Sequence, residues 1–288
     1  MNLVFRPARA DDKPRVLAFT AHTWGEDDED YIQYVYDEWL ADPGGQFTAV
    51  ELDGQPVAIG KLTDLGQGEL WLEGLRVDPA HRRKGIGEAL HDYNIHLARR
   101  HGGSVLRYAT GEDNQVSRTF GRRTGFALVS RYRYCAAEAS AEMELPEILS
   151  PSDWPYLQLW LDSPLLRASR RLYVRAWKWR ALSEPRLRAH LEDGQVFGLR
   201  GASGLRAWAI CDSPSNWPEL LLQHLDGAGT RAMADMARAA RRLAAERGRA
   251  TVEGFALEPS PVCGALAAAG YRAEDHRMVV LELPLRDE

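Results

Sequence analysis

The stretch that decides the fold is Leu70–Gly87, which reads LWLEGLRVDPAHRRKGIG. The apolar run up to Val77 predicts a strand, and Pro79 indicates a turn directly after it. Next come three bases and the glycine-rich start of an amphipathic helix, namely Arg82, Arg83, Lys84, Gly85, Ile86 and Gly87. Glycine lets backbone N–H groups approach a ligand, and the first N–H groups of a helix favour negative charge. The stretch therefore predicts a binding site for a phosphate-bearing ligand.

Composition narrows the class of protein. The chain has 288 residues and a net charge of −5, which predicts two domains and argues against nucleic acid as a partner. We expect no membrane span, because no apolar run approaches the roughly 20 residues required. The start, MNLVFRPARADD, predicts a first strand and no secretion signal. Cys135, Cys211 and Cys263 fit neither a disulfide framework nor a zinc site, so we predict a cytoplasmic protein without a metal.

Two pairs of matching segments indicate an internal duplication. Asp12-Lys13-Pro14 and Asp153-Trp154-Pro155 each predict a helix start, and Thr124-Gly125-Phe126 and Ala269-Gly270-Tyr271 each predict a helix end followed by a strand. The two pairs occur in the same order at nearly the same separation, as expected for repeated units. We place the domains at 1–138 and 139–288, with a boundary in the small and polar segment 136–144.

Alternating helix and strand patterns predict the α/β class for both halves. In the first half, Asp53-Gly54 predicts a hairpin turn, and Gly85–His101 predicts a helix. In the second half, Thr230–Glu246 predicts a long helix that ends at Gly248. The Trp- and Arg-rich segment 167–180 predicts another amphipathic helix, with contact to a partner or substrate as the alternative.

Two common phosphate-binding motifs do not fit the glycine-rich turn. A Walker loop requires G-K-[ST], and a Rossmann fingerprint requires a third glycine where Leu90 stands. The pattern Arg82-x-x-Gly85-x-Gly87 after a strand end instead resembles the acetyl-CoA pyrophosphate loop of GCN5-related N-acetyltransferases (GNAT). Asn114-x-x-Ser117 and Gly125-Phe126 resemble the second conserved segment of that family, in the expected order. The duplicated layout is similar to its tandem members.

The resemblance implies two GNAT-like domains, each a mixed, mostly antiparallel sheet flanked by helices. It also implies acetyl-CoA as cofactor, with its pyrophosphate against the amides from Arg83 to Gly87 and its pantetheine arm along the preceding strand. The residues implied in cofactor binding are Leu75, Arg76, Val77, Arg82, Arg83, Lys84, Gly85, Ile86, Gly87, Asn114, Ser117 and Phe120. A substrate amine would attack the thioester carbonyl directly.

Glu73 is the predicted general base, because it is a carboxylate inside an otherwise apolar strand. The alternative is a glutamate that simply faces solvent, and Glu112 and Asp113 are the reserve candidates. The family commonly has a tyrosine acid seven residues after the asparagine of its second segment, where this chain has Gly121. Tyr108 on the adjacent strand is the predicted substitute.

The second half departs further from the family pattern. Its nearest version of the loop is His224-x-x-Gly227-x-Gly229, in which Asp226 would repel pyrophosphate. The connection to the next helix is also too short to form the same loop. We predict a degenerate domain without a working cofactor site.

The acceptor side is the least specified. An acidic run at Glu26–Asp30 is flanked by Trp24 and Tyr31, and we predict acceptor binding by Trp24, Asp30 and Tyr31. The alternative is a solvated loop in which Asp30 caps the next helix. Three functions remain open: an N-acetyltransferase for a small-molecule amine, a non-catalytic acyl-CoA-binding module, and a protein or peptide N-acetyltransferase. We expect a monomer or homodimer.

Overall fold

The computed structural model describes residues 2–21, 23, 29–202, 204–214 and 217–285. They form two compact units. The first contains Met1–Tyr108, Gln115–Ala127 and Leu281–Glu288, and the second contains Ala109–Asn114 and Leu128–Val280. No helix in the described part of the chain combines the length and the apolar character needed to cross a bilayer.

The elements follow the predicted alternation of strands and helices. Those of the first half are β1 (Leu3–Pro7), α1 (Lys13–Thr20), α2 (Ile32–Ala41), β2 (Gly45–Leu52), β3 (Gln55–Asp64), β4 (Glu69–Val77), α3 (Ile86–Arg100), β5 (Val105–Gly111), α4 (Gln115–Arg123) and β6 (Ala127–Glu138). Those of the second half are β7 (Glu147–Ile148), α5 (Trp154–Leu157), α6 (Pro164–Ala168), β8 (Leu172–Arg175), β9 (Lys178–Ala181), α7 (Glu184–Glu192), β10 (Val196–Gly201), β11 (Gly204–Asp212), β12 (Leu220–Gly227), α8 (Thr230–Glu246), β13 (Thr251–Glu258), α9 (Pro261–Ala268) and β14 (Arg272–Pro284).

The first unit is a mostly antiparallel sheet with helices on both faces. Strands β1 to β4 pair as antiparallel neighbours, and β4 pairs with β5 in parallel. Neighbouring residues of β3 enter different cores, because successive side chains of a strand point to opposite faces. Ile59 packs with Tyr36 and Trp39 of α2, whereas Ala58 packs with Ile86 and Leu90 of α3. The predicted fold class is confirmed.

The second unit repeats this plan. Strand β13 pairs in parallel with β12 and antiparallel with β6, and β12, β11, β10 and β7 continue as antiparallel neighbours. A core cluster that includes Met236 of α8 and Leu266 of α9 covers one side of the sheet. A second cluster contains Leu157, Leu187 and Trp208.

The compact units do not follow the boundary at residue 138. Strand β6 pairs with β13 from Arg131 to Glu138, so the last strand of the first half belongs to the second unit. The end of β14 belongs to the first unit, where the Leu285 N–H donates to the Ser104 carbonyl at 2.9 Å. The division 1–138 and 139–288 therefore remains a prediction about two related halves of sequence, because the second unit includes β6 from Leu128 onward and the first unit includes the end of β14 from Leu281.

Two equivalent aspartates support the duplication. Asp12 accepts the backbone N–H of Arg9 at 2.9 Å, and Asp153 accepts that of Ser150 at 2.8 Å. Each also pairs with an arginine of a nearby strand, Arg6 for the first and Arg200 for the second. The same combination of a backbone hydrogen bond and an arginine ion pair thus occurs at the start of both halves.

The predicted helix over 167–180 is wrong. This segment contains the end of the short α6 and then the β8–β9 hairpin, whose turn residues Ala176 and Trp177 have φ of 48° and 62°. Backbone with positive φ cannot continue a right-handed helix. Burial of Trp179, which is fully enclosed, is the part of that prediction that holds.

Strand β4 contains a bulge at Gly74. Glu73 is opposite Lys61 and Arg76 is opposite Ile59, so two residues of β4 face the single Gly60 of β3. Gly74 has φ of 66°, and a Cβ there would overlap the indole of Trp39. A bulge bends its strand and redirects the following side chains. Only glycine satisfies both the backbone conformation and the contact.

We expect Gly74→Ala to lower the free energy of unfolding by about 2 kcal/mol or more, from left-handed strain together with overpacking against Trp39. Urea unfolding followed by tryptophan fluorescence measures this loss. Gly54→Ala is the matched control, because Gly54 has φ of 80° but open space where its Cβ would lie. Equal losses in the two variants would contradict a role for the Trp39 contact.

Candidate active site

The second half of β4 is not paired with its parallel neighbour. The ladder with β5 joins only Glu69–Trp71 to Val105–Arg107, although β4 continues to Val77. Backbone N–H and C=O groups on that side of the strand are thus available to a ligand, as they are at a sheet edge. Leu75, Arg76 and Val77, which the family resemblance implies in cofactor binding, lie in the part of β4 that does not pair with β5.

The loop after β4 combines exposed basic residues with a helix N-terminus, as anion-binding sites do. Arg82, Arg83, Lys84 and Gly85 are exposed, and α3 begins at Ile86. Gly85 precedes the helix in the left-handed conformation, with φ of 79°, and offers no capping side chain. The first N–H groups of α3 therefore lack an intrahelical partner and point at the loop. Such a terminus binds phosphate well.

The three basic residues of the loop differ in their hydrogen bonds. Arg82 donates through Nε to the Val77 carbonyl at 3.2 Å, and Lys84 donates through Nζ to the Ala80 carbonyl at 3.1 Å. Arg83 has φ of 61° and, within the described residues, makes no hydrogen bond or ion pair. A strained residue with a free guanidinium beside an uncapped helix is suited to a phosphate group.

Asp78 anchors the loop. One carboxylate oxygen accepts the Ala80 N–H at 2.9 Å, and the other pairs with Arg15 of α1. Asp78 itself is buried, so it fixes the point at which the chain leaves β4. Neither Asp78 nor Arg15 was predicted from the sequence, because their pairing joins residues that lie far apart in the chain.

Gly87 lies where the helix faces the strand. A Cβ at this position would be 3.4 Å from Val77, 3.6 Å from Phe120 and 3.8 Å from Leu75. The predicted cofactor residues of β4, α3 and α4 thus come together around the first turn of α3. A larger side chain at 87 would fill this space.

Glu73 is half-buried and has a fixed rotamer. Its Oε1 accepts a hydrogen bond from the Thr63 hydroxyl at 2.7 Å. Arg76 lies across the bulge from it, and Asp30 receives the Arg76 Nε at 2.6 Å. Asp30 also accepts the Ile32 N–H at 3.2 Å, so it caps the start of α2 as well.

Tyr31 completes this polar group. Tyr31 is 38% exposed, and the centroid of its ring lies 5.4 Å from Cζ of the Arg76 guanidinium. Burial raises the pKa of Tyr31, the carboxylates of Glu73 and Asp30 act in the same direction, and Arg76 opposes them. Trp24 and the acidic residues 26–28 lie outside the described residues.

Tyr108 explains the glycine at position 121. The Tyr108 hydroxyl donates to the Ser117 carbonyl of α4 at 2.9 Å, and a Cβ on Gly121 would overlap that hydroxyl. Burial raises the pKa of Tyr108 to about 12. The phenol thus occupies the space that a side chain at 121 would need, and its proton is directed to the backbone of α4.

The remaining candidates belong to the second unit. Asn114 is exposed and donates its N–H to the Gly111 carbonyl at 3.1 Å. Glu112 pairs with Arg131 at 2.8 Å, and Asp113 lies 3.8 Å from His276. Their roles stay predictions from the sequence. Among the described residues, no three potential ligands gather at a metal site.

The second unit lacks the anion loop. Its β12 ends at Gly227 and α8 begins at Thr230, whereas Val77 and Ile86 bound a much longer connection in the first unit. Asp226 is buried and accepts the Ser163 hydroxyl at 2.5 Å. A buried carboxylate at this point disfavours a bound phosphate.

His224 occupies the position equivalent to Glu73. Pairing of β12 with β13 ends at Leu222, as pairing of β4 with β5 ends at Trp71, and each residue lies two places further on. His224 is buried, and burial lowers its pKa to about 3. A neutral, enclosed imidazole replaces the half-exposed carboxylate.

Comparison with known proteins agrees with this geometry. The fold is a mostly antiparallel sheet flanked by helices, and the loop after β4 is suited to a phosphate group. Residues 13–126 match the profile of the acetyltransferase (GNAT) family. The first half of the chain thus contains a GNAT-type acyltransferase domain. No curated protein matches the chain in sequence.

Solved structures show the same fold over the whole chain. A GCN5-related N-acetyltransferase from Sphaerobacter thermophilus has a TM-score of 0.69 at 14% identity, covering 99% of this chain and 96% of its own. A tandem GNAT protein from the clavulanic acid biosynthesis pathway has a TM-score of 0.61 at 16% identity, with both chains covered fully. A glucosamine N-acetyltransferase region of a fungal multi-domain protein has a TM-score of 0.66 at 14% identity, covering 98% of this chain and 38% of that one.

The pKa of His224 predicts a pH dependence of stability. In the unfolded chain the His224 imidazole becomes protonated below pH about 6.5. In the folded protein it stays neutral until the pH falls to about 3. The stability is thus full above pH about 6.5 and is lost as pH falls, by about 2 kcal/mol between pH 7 and pH 5. We expect His224→Leu to remove this part of the loss, measured by urea unfolding at both pH values. His96→Gln, at an exposed site, should keep it. A His224→Leu variant with the full loss would refute the assignment.

Proposed function

We propose that this protein transfers the acetyl group of acetyl-CoA to a primary amine of a small molecule. The observation that carries the proposal is the exposed basic loop at an uncapped helix N-terminus, directly after a strand with a free second half. Helix N–H groups and bases bind a pyrophosphate, and a free strand segment hydrogen-bonds an extended amide chain such as pantetheine. The family assignment of residues 13–126 supports the same chemistry.

In this proposal the pyrophosphate lies against the amides from Arg83 to Gly87, with Arg83 as the free cation. The pantetheine arm follows the backbone of Leu75, Arg76 and Val77. Phe120 of α4 lies next to Gly87, and the Ser117 carbonyl of α4 accepts the Tyr108 hydroxyl. In this proposal both residues line the end of the site that holds the acetyl group. The single anion loop predicts one cofactor per chain.

We expect calorimetric titration with acetyl-CoA to give one site per chain and an affinity that falls with ionic strength. Gly87→Leu should weaken binding at least thirty-fold, because its side chain fills the space between α3 and β4. Gly102→Ala, at the far end of α3 and in open space, is the control. Two sites, or full affinity in Gly87→Leu, would contradict the placement.

Glu73 is proposed as the base that receives the proton of the attacking amine. The amine nitrogen forms a bond to the thioester carbon, the C–S bond breaks, and CoA leaves as thiolate. Thr63 holds the Glu73 carboxylate, so the base is already oriented when the amine arrives. The half-buried side chain lies beside the bulge, in the part of β4 that does not pair with β5.

Tyr108 is better suited to positioning than to proton donation. Its proton is engaged by the Ser117 carbonyl, and donation to a thiolate would break that bond. A free thiol has a pKa of about 8.5, so release of the thiolate to solvent is feasible without a dedicated acid. We therefore assign Tyr108 to holding α4 against β5.

We expect Glu73→Gln to lower kcat by about 10²–10⁴-fold with little change in the Kd of acetyl-CoA. Steady-state assays with a panel of amines measure this effect. Glu38→Gln makes the same change at an exposed site on α2 and should leave kcat unchanged. Tyr108→Phe should keep kcat within about three-fold of the unmodified protein. Unchanged turnover in Glu73→Gln would remove Glu73 as the base. Cofactor binding without turnover on any amine or peptide would favour the non-catalytic alternative.

The acceptor is proposed to be a small amine rather than a peptide. Asp30 is committed to Arg76 and to the α2 N-terminus, so it shapes the acceptor side by fixing Arg76 and Tyr31. Trp24 remains a predicted contact. All three cysteines are free thiols, which supports the cytoplasmic location we propose.

A further inference from the structure

The β8–β9 hairpin of the second unit presents a tryptophan at a strained turn. Trp177 is 40% exposed, and it and Ala176 adopt positive φ where such turns normally carry Asn-Gly. The indole stacks on Tyr134, with ring centroids 5.6 Å apart, and meets Phe255 edge-on at 4.8 Å. Three aromatic faces are thus collected at one place.

A carboxylate lies beneath these rings. Glu253 of β13 is 9% exposed and accepts the Tyr134 hydroxyl at 2.6 Å and the Trp217 indole N–H at 2.9 Å. Burial raises the pKa of Glu253, and the neighbouring carboxylates of Glu219 and Glu274 raise it further. Throughout the part of the chain that the structure describes, none of these three glutamates has an ion pair.

The same place contains a cavity with an unsatisfied acceptor. Trp177, Glu253, Phe255 and Gln223 line it together. Gln223 is 4% exposed, and its Oε1 has no hydrogen-bond partner among the described residues. A buried acceptor without a partner costs free energy, which a bound donor would recover.

We propose that this cavity binds a primary ammonium group carried on a short alkyl chain. The cation offers N–H donors to Gln223 Oε1 and to the Glu253 carboxylate, and the faces of Trp177 and Phe255 stabilise it through cation–π attraction. The Glu253 carboxylate in the lining disfavours an anion, and the negative charges of Glu219 and Glu274 act in the same direction. The site is independent of acetyl transfer, since all of its residues belong to the second unit.

The test uses the full-length chain and n-butylamine, an ammonium ion at pH about 7.5, with n-butanol as the uncharged probe. Tryptophan indole N–H signals are followed by NMR, and those of Trp177 and Trp217 are assigned with Trp→Phe variants. We expect both signals to shift saturably with butylammonium and to stay in place with butanol. Movement with both probes alike, or with neither, would overturn the proposal.

Two variants localise the site. Glu253→Gln should weaken butylammonium binding at least ten-fold, whereas Glu142→Gln, an exposed glutamate elsewhere, should have no effect. Trp177→Ala changes an exposed side chain and should also weaken binding at least ten-fold, which keeps the test decisive if Glu253→Gln does not fold. Unaltered affinity in a folded Glu253→Gln or Trp177→Ala variant would refute the proposal.

Discussion

The candidate active site depends on the packing of Trp39 against Gly74. The indole leaves no room for a side chain, and Gly74 has none. The same glycine adopts the left-handed conformation that forms the bulge in β4. The bulge sets Glu73 and Arg76 at their positions, and beyond it the strand runs free of β5 to the loop. The proposed base and the proposed path of the cofactor therefore both depend on this one local distortion.

Duplication has kept the fold and changed the connection that carries the chemistry. Both halves contain a strand that pairs in parallel at its start and a helix that follows it. In the first half a long basic loop joins Val77 to Ile86, whereas in the second only Ala228 and Gly229 join Gly227 to Thr230. A helix N-terminus without that loop cannot surround a pyrophosphate, so the proposed cofactor site lies in the first half only.

The second half has also been modified where the first would admit an acyl chain. The β8–β9 hairpin, which has no counterpart among the described residues of the first half, places Tyr173 and Val174 beside Leu222 and Phe255 of β12 and β13. The imidazole of His224 lies at the position equivalent to Glu73, the proposed base. These changes remove one chemistry and create the aromatic and acidic cavity around Glu253.

Much of the fold could be predicted from the sequence, since hydrophobic periodicity, helix caps and the glycine-rich turn are local signals. They determined the β4–loop–α3 unit, the helix at Thr230–Glu246 and the relation between the halves. Tertiary structure alone decided the pairing of β6 with β13, the hairpin in place of a helix, and the fit of Tyr108 against Gly121. Those features depend on contacts between residues distant in the chain, and local propensity carries no information about which distant side chain will fill a given space.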